Sequence, residues 1–63
     1  MYVVGNETGS NHDAFDALEG AFGSTEFSAS EAVAVLQSAL GTTELEASRL
    51  ARKLIKAGAI EEV

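Results

Sequence analysis

The basic side chains are the residues whose type and spacing point most directly to a chemistry. The chain has four Lys or Arg residues, all in one short segment at positions i, i+3, i+4 and i+7: Arg49, Arg52, Lys53 and Lys56. An α-helix turns by about 100° per residue, so this spacing predicts a single stripe of positive charge. Such a stripe can neutralise phosphates, and its arginines can reach guanine edges. These four residues are therefore the predicted nucleic-acid-binding residues.

Two other interpretations of the stripe stay open. Positive side chains near the C-terminus of a helix are expected from the helix dipole alone, and Glu46 can pair with Arg49 one turn later. The stripe would then be a solvated, stabilising surface. The same charges also suit an acidic protein partner.

The chain as a whole is acidic. It has ten carboxylates and a formal net charge of −6, and residues 1–48 contain no Lys or Arg. Acidity normally opposes nucleic-acid binding. The excess of acids, with much Ala and little Lys, resembles the composition of proteins from salt-loving archaea; an ordinary acidic protein is the alternative. Multimolar salt would shorten the repulsion to a few ångströms, so a halophilic protein of this charge could still bind DNA.

Composition argues against several other classes of protein. The chain has no Cys and one His, so it has neither a disulfide nor a plausible zinc site, and we expect no metal or cofactor. The sole histidine, His12, stands near a predicted helix start, where a solvated or capping role is more usual than a catalytic one. We therefore expect that the chain is not an enzyme. No apolar stretch is long enough to span a membrane, and the N-terminal residues lack a signal-peptide pattern. We therefore expect a cytoplasmic protein without membrane contact.

Three predicted helices position these residues. The first runs from about His12 to Phe22, with Ser10 or Asn11 as its cap and Gly23 as its stop. Its predicted apolar face comprises Ala14, Phe15, Leu18, Ala21 and Phe22. Residues 1–11 form an N-terminal segment that is flexible or holds a short strand at residues 2–4, and residues 12–63 form the helical domain.

Capping boxes mark the starts of the other two helices. Ser28 pairs with Glu31, and Thr43 pairs with Glu46. Glycines end both helices: Gly41 and Gly58. The predicted buried faces are Ala29, Ala32, Val33, Leu36 and Leu40 in the second helix, and Ala47, Leu50, Ala51 and Leu54 in the third. Residues 59–63 are expected to be extended, with at best one strand, paired either with the region of Phe27 or with residues 2–4.

Two short motifs are separated by residues 42–57: Ala39-Leu40-Gly41 and Gly58-Ala59-Ile60. Over about residues 13–63 this pattern resembles the core of winged-helix transcription regulators. In that family a Leu-Gly pair closes the second helix, and a Ser or Thr, here Thr43, caps the recognition helix. A Gly followed by an apolar residue then begins the sheet. Phe27 stands where the family's first short strand usually lies. The resemblance implies a helix-turn-helix that binds DNA.

Three features depart from the family pattern. Leu45 occupies an early helix position that usually carries a polar, base-reading residue. Leu50 and Ile55 widen the apolar surface of the third helix, which suggests a further contact such as a homodimer. The residues after Ile60 are too few for a full wing hairpin.

The predicted fold is mostly α: a three-helix, winged-helix-like (helix-turn-helix) domain with a minimal, truncated β element. The predicted function is a small DNA-binding or transcription-associated module. The alternative is a protein-interaction or dimerisation domain that binds no nucleic acid. The third helix distinguishes the two functions. Burial of Leu45, Leu50 and Ile55 in an interface would argue against DNA binding. Their packing into the chain's own core, with the basic stripe open, would support it.

The acidic charge generates a first testable expectation. Carboxylates of residues 1–48 repel one another at low ionic strength, and salt shortens the range of that repulsion. The melting temperature should therefore rise with KCl up to molar concentrations, as followed by circular dichroism. A flat or falling dependence would remove the halophilic interpretation.

Overall fold

The computed structural model describes residues 1–6 and 12–63, and it is mostly helical. Its elements are, in chain order, β1 (Tyr2–Val4), α1 (His12–Phe22), α2 (Ala29–Leu40), α3 (Glu44–Ala57) and β2 (Ile60–Glu62). The predicted three helices with a small β element are confirmed, and α1 has the predicted bounds. The predicted cap of α1 at Ser10 or Asn11 lies outside the described residues.

The two strands form one small antiparallel sheet. Val3 of β1 is opposite Glu61 of β2, and Val4 is opposite Ile60. On its other side β1 meets Phe27: the Tyr2 amide donates to the Phe27 carbonyl at 2.7 Å, and the Phe27 amide donates to the Tyr2 carbonyl at 2.9 Å. Of the two predicted partners for the C-terminal strand, residues 2–4 are the correct one. The N-terminal strand thus joins the C-terminal strand to the turn before α2.

A glycine permits the close approach at the end of β1. The Gly5 amide donates to the Ala59 carbonyl at 2.8 Å. A Cβ atom at Gly5 would lie only 2.8 Å from the Glu61 carboxylate and 3.2 Å from the Ala59 carbonyl oxygen. With a side chain at this position, the Glu61 carboxylate would have to swing aside and the Ala59 carbonyl would have to move by a few tenths of an ångström, so Gly suits this close approach.

One apolar core connects all the helices and both ends of the chain. Its largest fully buried side chains come from every helix, from β2 and from the turn before α2: Leu18, Phe27, Leu36, Leu54 and Ile60. Smaller residues fill the space between them: Ala14, Ala32, Ala47, Ala51 and Ala59. The Phe22 ring stacks on the Phe27 ring with 4.4 Å between centroids. Burial of these side chains is the main stabilising term in so small a chain.

Two residues of the predicted core faces are exposed, and those assignments are wrong. Ala21 lies in the last turn of α1, where the next residue, Phe22, makes the contact with Phe27. Ala29 is the first residue of α2 and lies beside the cap, beyond the part of the helix that the core covers. Half-buried residues of the predicted faces still pack against the core: Phe22, Val33, Leu40 and Leu50.

Two leucine truncations should distinguish core from surface. Leu36→Ala and Leu54→Ala each leave a cavity in the core, and each should lower the free energy of unfolding by about 2–5 kcal/mol. Leu40→Ala should lower the free energy of unfolding by less, because Leu40 is only half-buried. The matched control is Leu45→Ala, whose side chain is 61% exposed and should change stability by less than about 0.5 kcal/mol. Urea denaturation measures all four, and equal losses at Leu45 and Leu54 would contradict the packing.

Candidate nucleic-acid interface

The start and end of α3 are fixed by local hydrogen bonds. The Glu46 amide donates to Thr43 Oγ1 at 3.2 Å, and the Thr43 amide donates to Glu46 Oε1 at 3.2 Å. Gly58 ends the helix with φ 83°, a left-handed conformation that favours glycine. These contacts confirm the predicted capping box and set the phase of the helix.

The buried face of α3 determines which way its charged side chains point. Ala47, Ala51 and Leu54 are buried against the core. At about 100° per residue, the basic residues fall on an arc centred roughly opposite these three. All four basic side chains are exposed: Arg49, Arg52, Lys53 and Lys56. The sequence pattern therefore places them as expected, on one open side of α3.

The predicted ion pair between Glu46 and Arg49 does not form. Glu46 Oε1 is instead held at the start of the helix, where it accepts from the Thr43 amide and from Thr43 Oγ1 at 3.1 Å. In the described parts of the chain none of the four basic residues has an ion-pair partner. Among the described residues, the stripe is thus not part of a salt-bridge network.

The helix dipole accounts for only part of the stripe. Its effect falls off within the last turn of a helix, and the only basic residue in the last turn of α3 is Lys56. Arg49 and Arg52 lie in the middle of the helix, where the dipole gives no reason for a positive charge. Cations there also keep the exposed face of α3 polar and offset part of the acidic charge of the chain.

The apolar residues that raised the possibility of a dimer separate into two groups. Leu50 and Ile55 are half-buried and pack against the core of their own chain. Leu45 is 61% exposed. It stands four residues before Arg49 and seven before Arg52, so it lies on the same side of α3 as the basic residues. The surplus of apolar surface on α3 is therefore reduced to Leu45.

A groove lies where the turn between α2 and α3 meets the basic side of α3. It has a volume of about 270 Å³ and is lined by Thr42, Glu46, Arg49, Leu50 and Lys53. The Thr42 hydroxyl is buried and has no hydrogen-bond partner among the described residues. Sequence reasoning missed Thr42, because a threonine in a turn is ordinarily solvated.

Other kinds of site have little support in the described residues. His12 is exposed at the start of α1. Within residues 1–6 and 12–63 there is no group of three or more His, Cys, Asp or Glu side chains that could hold a metal ion. None of the described helices is both long and apolar enough to cross a membrane.

Comparisons with protein-family models, with curated proteins and with solved structures yield no match for this chain. The geometry and charge of α3 and of the turn before it are therefore the observations that bear on function.

The two capping boxes generate a prediction about the helices that carry this surface. Ser28→Ala and Thr43→Ala each remove the side-chain acceptor at a helix start, and each should lower the free energy of unfolding by about 0.5–2 kcal/mol. Thr25→Ala, in the exposed turn after α1, is the control and should have little effect. Unchanged urea midpoints for both cap variants would mean that neither cap contributes.

Proposed function

We propose that this chain is a small DNA-binding module of the helix-turn-helix kind, in which α3 lies against the duplex. The observation that carries the proposal is the set of four exposed basic side chains on one side of a capped helix, without ion-pair partners in the described residues. Cations held in this way are available to phosphates, which supply most of the affinity of proteins for DNA.

The arrangement of the elements supports a winged-helix-like form of this fold. The helices α2 and α3 are joined by a short turn after Gly41, and β2 follows Gly58 at once, as the resemblance to winged-helix regulators implies. Phe27, at the position of that family's first strand, pairs with Tyr2. The strand β1 thus pairs with Phe27 on one side and with β2 on the other.

The packing of α3 also favours DNA binding over association through a large apolar protein interface. Leu50 and Ile55 cover the core of their own chain, and the basic stripe is open to solvent. Four cations on a chain of net charge −6 give weak attraction, so we propose that two copies bind together. Ile55 would contribute to the contact between copies, because Leu45 lies on the basic side of α3 that would face the duplex.

A protein-interaction domain is the second candidate, and the exposure of Leu45 favours it. An apolar side chain beside Arg49 and Arg52 matches an acidic partner that also carries an apolar residue. This partner would use the same side of α3, so the two candidates compete for one surface.

The test of DNA binding is a double substitution in the stripe. Arg52→Gln with Lys53→Gln removes two exposed cations that do not face the core, so the fold should persist while binding to mixed-sequence duplex is abolished. The control is Ser24→Asp with Thr25→Glu, which changes the net charge by the same amount in an exposed turn away from α3. Fluorescence anisotropy at several KCl concentrations measures affinity, and the control should keep most of it.

The salt dependence and the mass in solution complete the test. If all four cations contact phosphates, the slope of log association constant against log KCl should be about −3.6 for one copy and about twice that for two copies. A monomer that binds no duplex at any salt concentration would sink the proposal and leave the protein-interaction domain as the better explanation.

A further inference from the structure

The groove at the turn between α2 and α3 combines two cations with an unused hydroxyl. We infer that this groove, formed by Thr42, Arg49 and Lys53, binds one phosphate group, and that in a duplex complex it holds one backbone phosphate. The duplex part of this inference rests on the proposed function. In a complex, the phosphate held in the groove would determine where α3 lies on the DNA.

The two cations of the groove are neighbours on α3. Arg49 and Lys53 stand four residues apart, so their side chains leave the same side of the helix on adjacent turns. Like charges at this spacing destabilise a helix, and no carboxylate pairs with either side chain in the described parts of the chain. A phosphate between them removes this repulsion and accepts charge-assisted hydrogen bonds from both.

The Thr42 hydroxyl gives an independent reason to expect a ligand. Buried hydroxyls in folded proteins nearly always have a partner, because an unsatisfied one keeps the full cost of desolvation. Thr42 lines the groove, and its hydroxyl has no partner among the described residues. The oxygen is closed to solvent in the free chain, so a phosphate in the groove becomes its partner only after the Thr42 side chain turns toward the groove.

Glu46 also lines the groove, and its charge must be considered. Its Oε1 already accepts from the Thr43 amide and hydroxyl at the start of α3. There it faces the positive end of the helix dipole, which compensates part of its charge. The groove therefore keeps a net attraction for an anion. The groove is open to solvent and has a volume of about 270 Å³, so it has room for a group larger than a water molecule.

The stripe contains its own matched controls. Arg52 and Lys56 carry the same charge as Arg49 and Lys53 and are equally exposed on α3, but they do not line this groove. A purely long-range attraction would make all four cations equivalent. A phosphate seated in the groove makes Arg49 and Lys53 more important than the other two.

The first arm of the experiment uses a mixed-sequence duplex and four single variants. Arg49→Gln and Lys53→Gln should each weaken binding by about tenfold, the cost of one charge-assisted hydrogen bond. Arg52→Gln and Lys56→Gln should each weaken it less, by about threefold. If the wild-type chain binds duplex and all four variants lose the same amount, the inference is overturned and the proposed function stands.

The second arm uses inorganic phosphate and does not depend on DNA binding. In a titration at constant ionic strength with chloride as the competing anion, amide NMR shifts should concentrate at Thr42, Arg49, Leu50 and Lys53. Thr42→Val should weaken phosphate binding several-fold without lowering the melting temperature, since the hydroxyl it removes is unsatisfied in the free chain. Thr42→Ser, which keeps the hydroxyl, should retain the affinity.

The two arms separate failure of the site from failure of the function. Localised phosphate shifts that Thr42→Val weakens and Thr42→Ser keeps would support the site even if no duplex binds, and the proposed function alone would then fail. Shifts spread over all exposed amides, or absent, would overturn the inference. A lower melting temperature for Thr42→Val would show that the hydroxyl is structural, and would overturn it as well.

Discussion

The burial of Phe27 is the contact on which the rest of the molecule depends. Its ring is fully buried and stacks on Phe22 of α1, while its backbone pairs with Tyr2 of β1. The next residue, Ser28, caps α2. One residue therefore joins the first helix, the sheet and the second helix. Because β1 also pairs with β2 at the end of α3, this junction settles the orientation of the basic helix as well.

The charge distribution gives this acidic chain a single basic surface. Residues 1–48 contain carboxylates and no Lys or Arg, and every basic side chain lies on α3. The described residues span 25 × 21 × 17 Å, which exceeds the Debye length of about 10 Å at 0.1 M salt. Acids more than a Debye length from α3 would thus be largely screened from an anion at that surface, whereas the cations in contact with the anion would not be. Added salt would weaken the long-range repulsion between these acids and an anion before it removed the attraction between the anion and the cations that it touches.

Apart from the terminal residues Met1 and Val63, which are also exposed, two departures from ordinary packing among the described residues lie close together in the chain. Leu45 is a large apolar side chain exposed to solvent, and Thr42 carries a buried hydroxyl without a partner in the described residues. Both belong to the turn and the first residues of α3. Elsewhere the core has no buried polar or charged side chain among the described residues. Natural sequences break such rules mainly at functional sites, so the turn and the exposed side of α3 are where a partner is to be sought.

Local features of the sequence determined the helices and the basic stripe. Ser28 and Thr43 with their glutamates three residues later predict the starts of α2 and α3, because a capping box is made by neighbours in the chain. The direction of the basic stripe follows equally from helical periodicity and the buried face of α3. These contacts join residues no more than a few positions apart, so no knowledge of the rest of the fold is needed.

Only the tertiary structure decided the contacts between distant residues. The sequence left two partners open for β2, and the pairing of Val3 with Glu61 depends on how the helices bring the two ends of the chain together. The exposure of Ala21 and Ala29 likewise depends on where neighbouring elements end, which periodicity does not record. The Thr42 groove forms because a turn residue meets side chains one and two turns into α3. Burial and enclosure are properties of the packed chain, and a local pattern does not contain them.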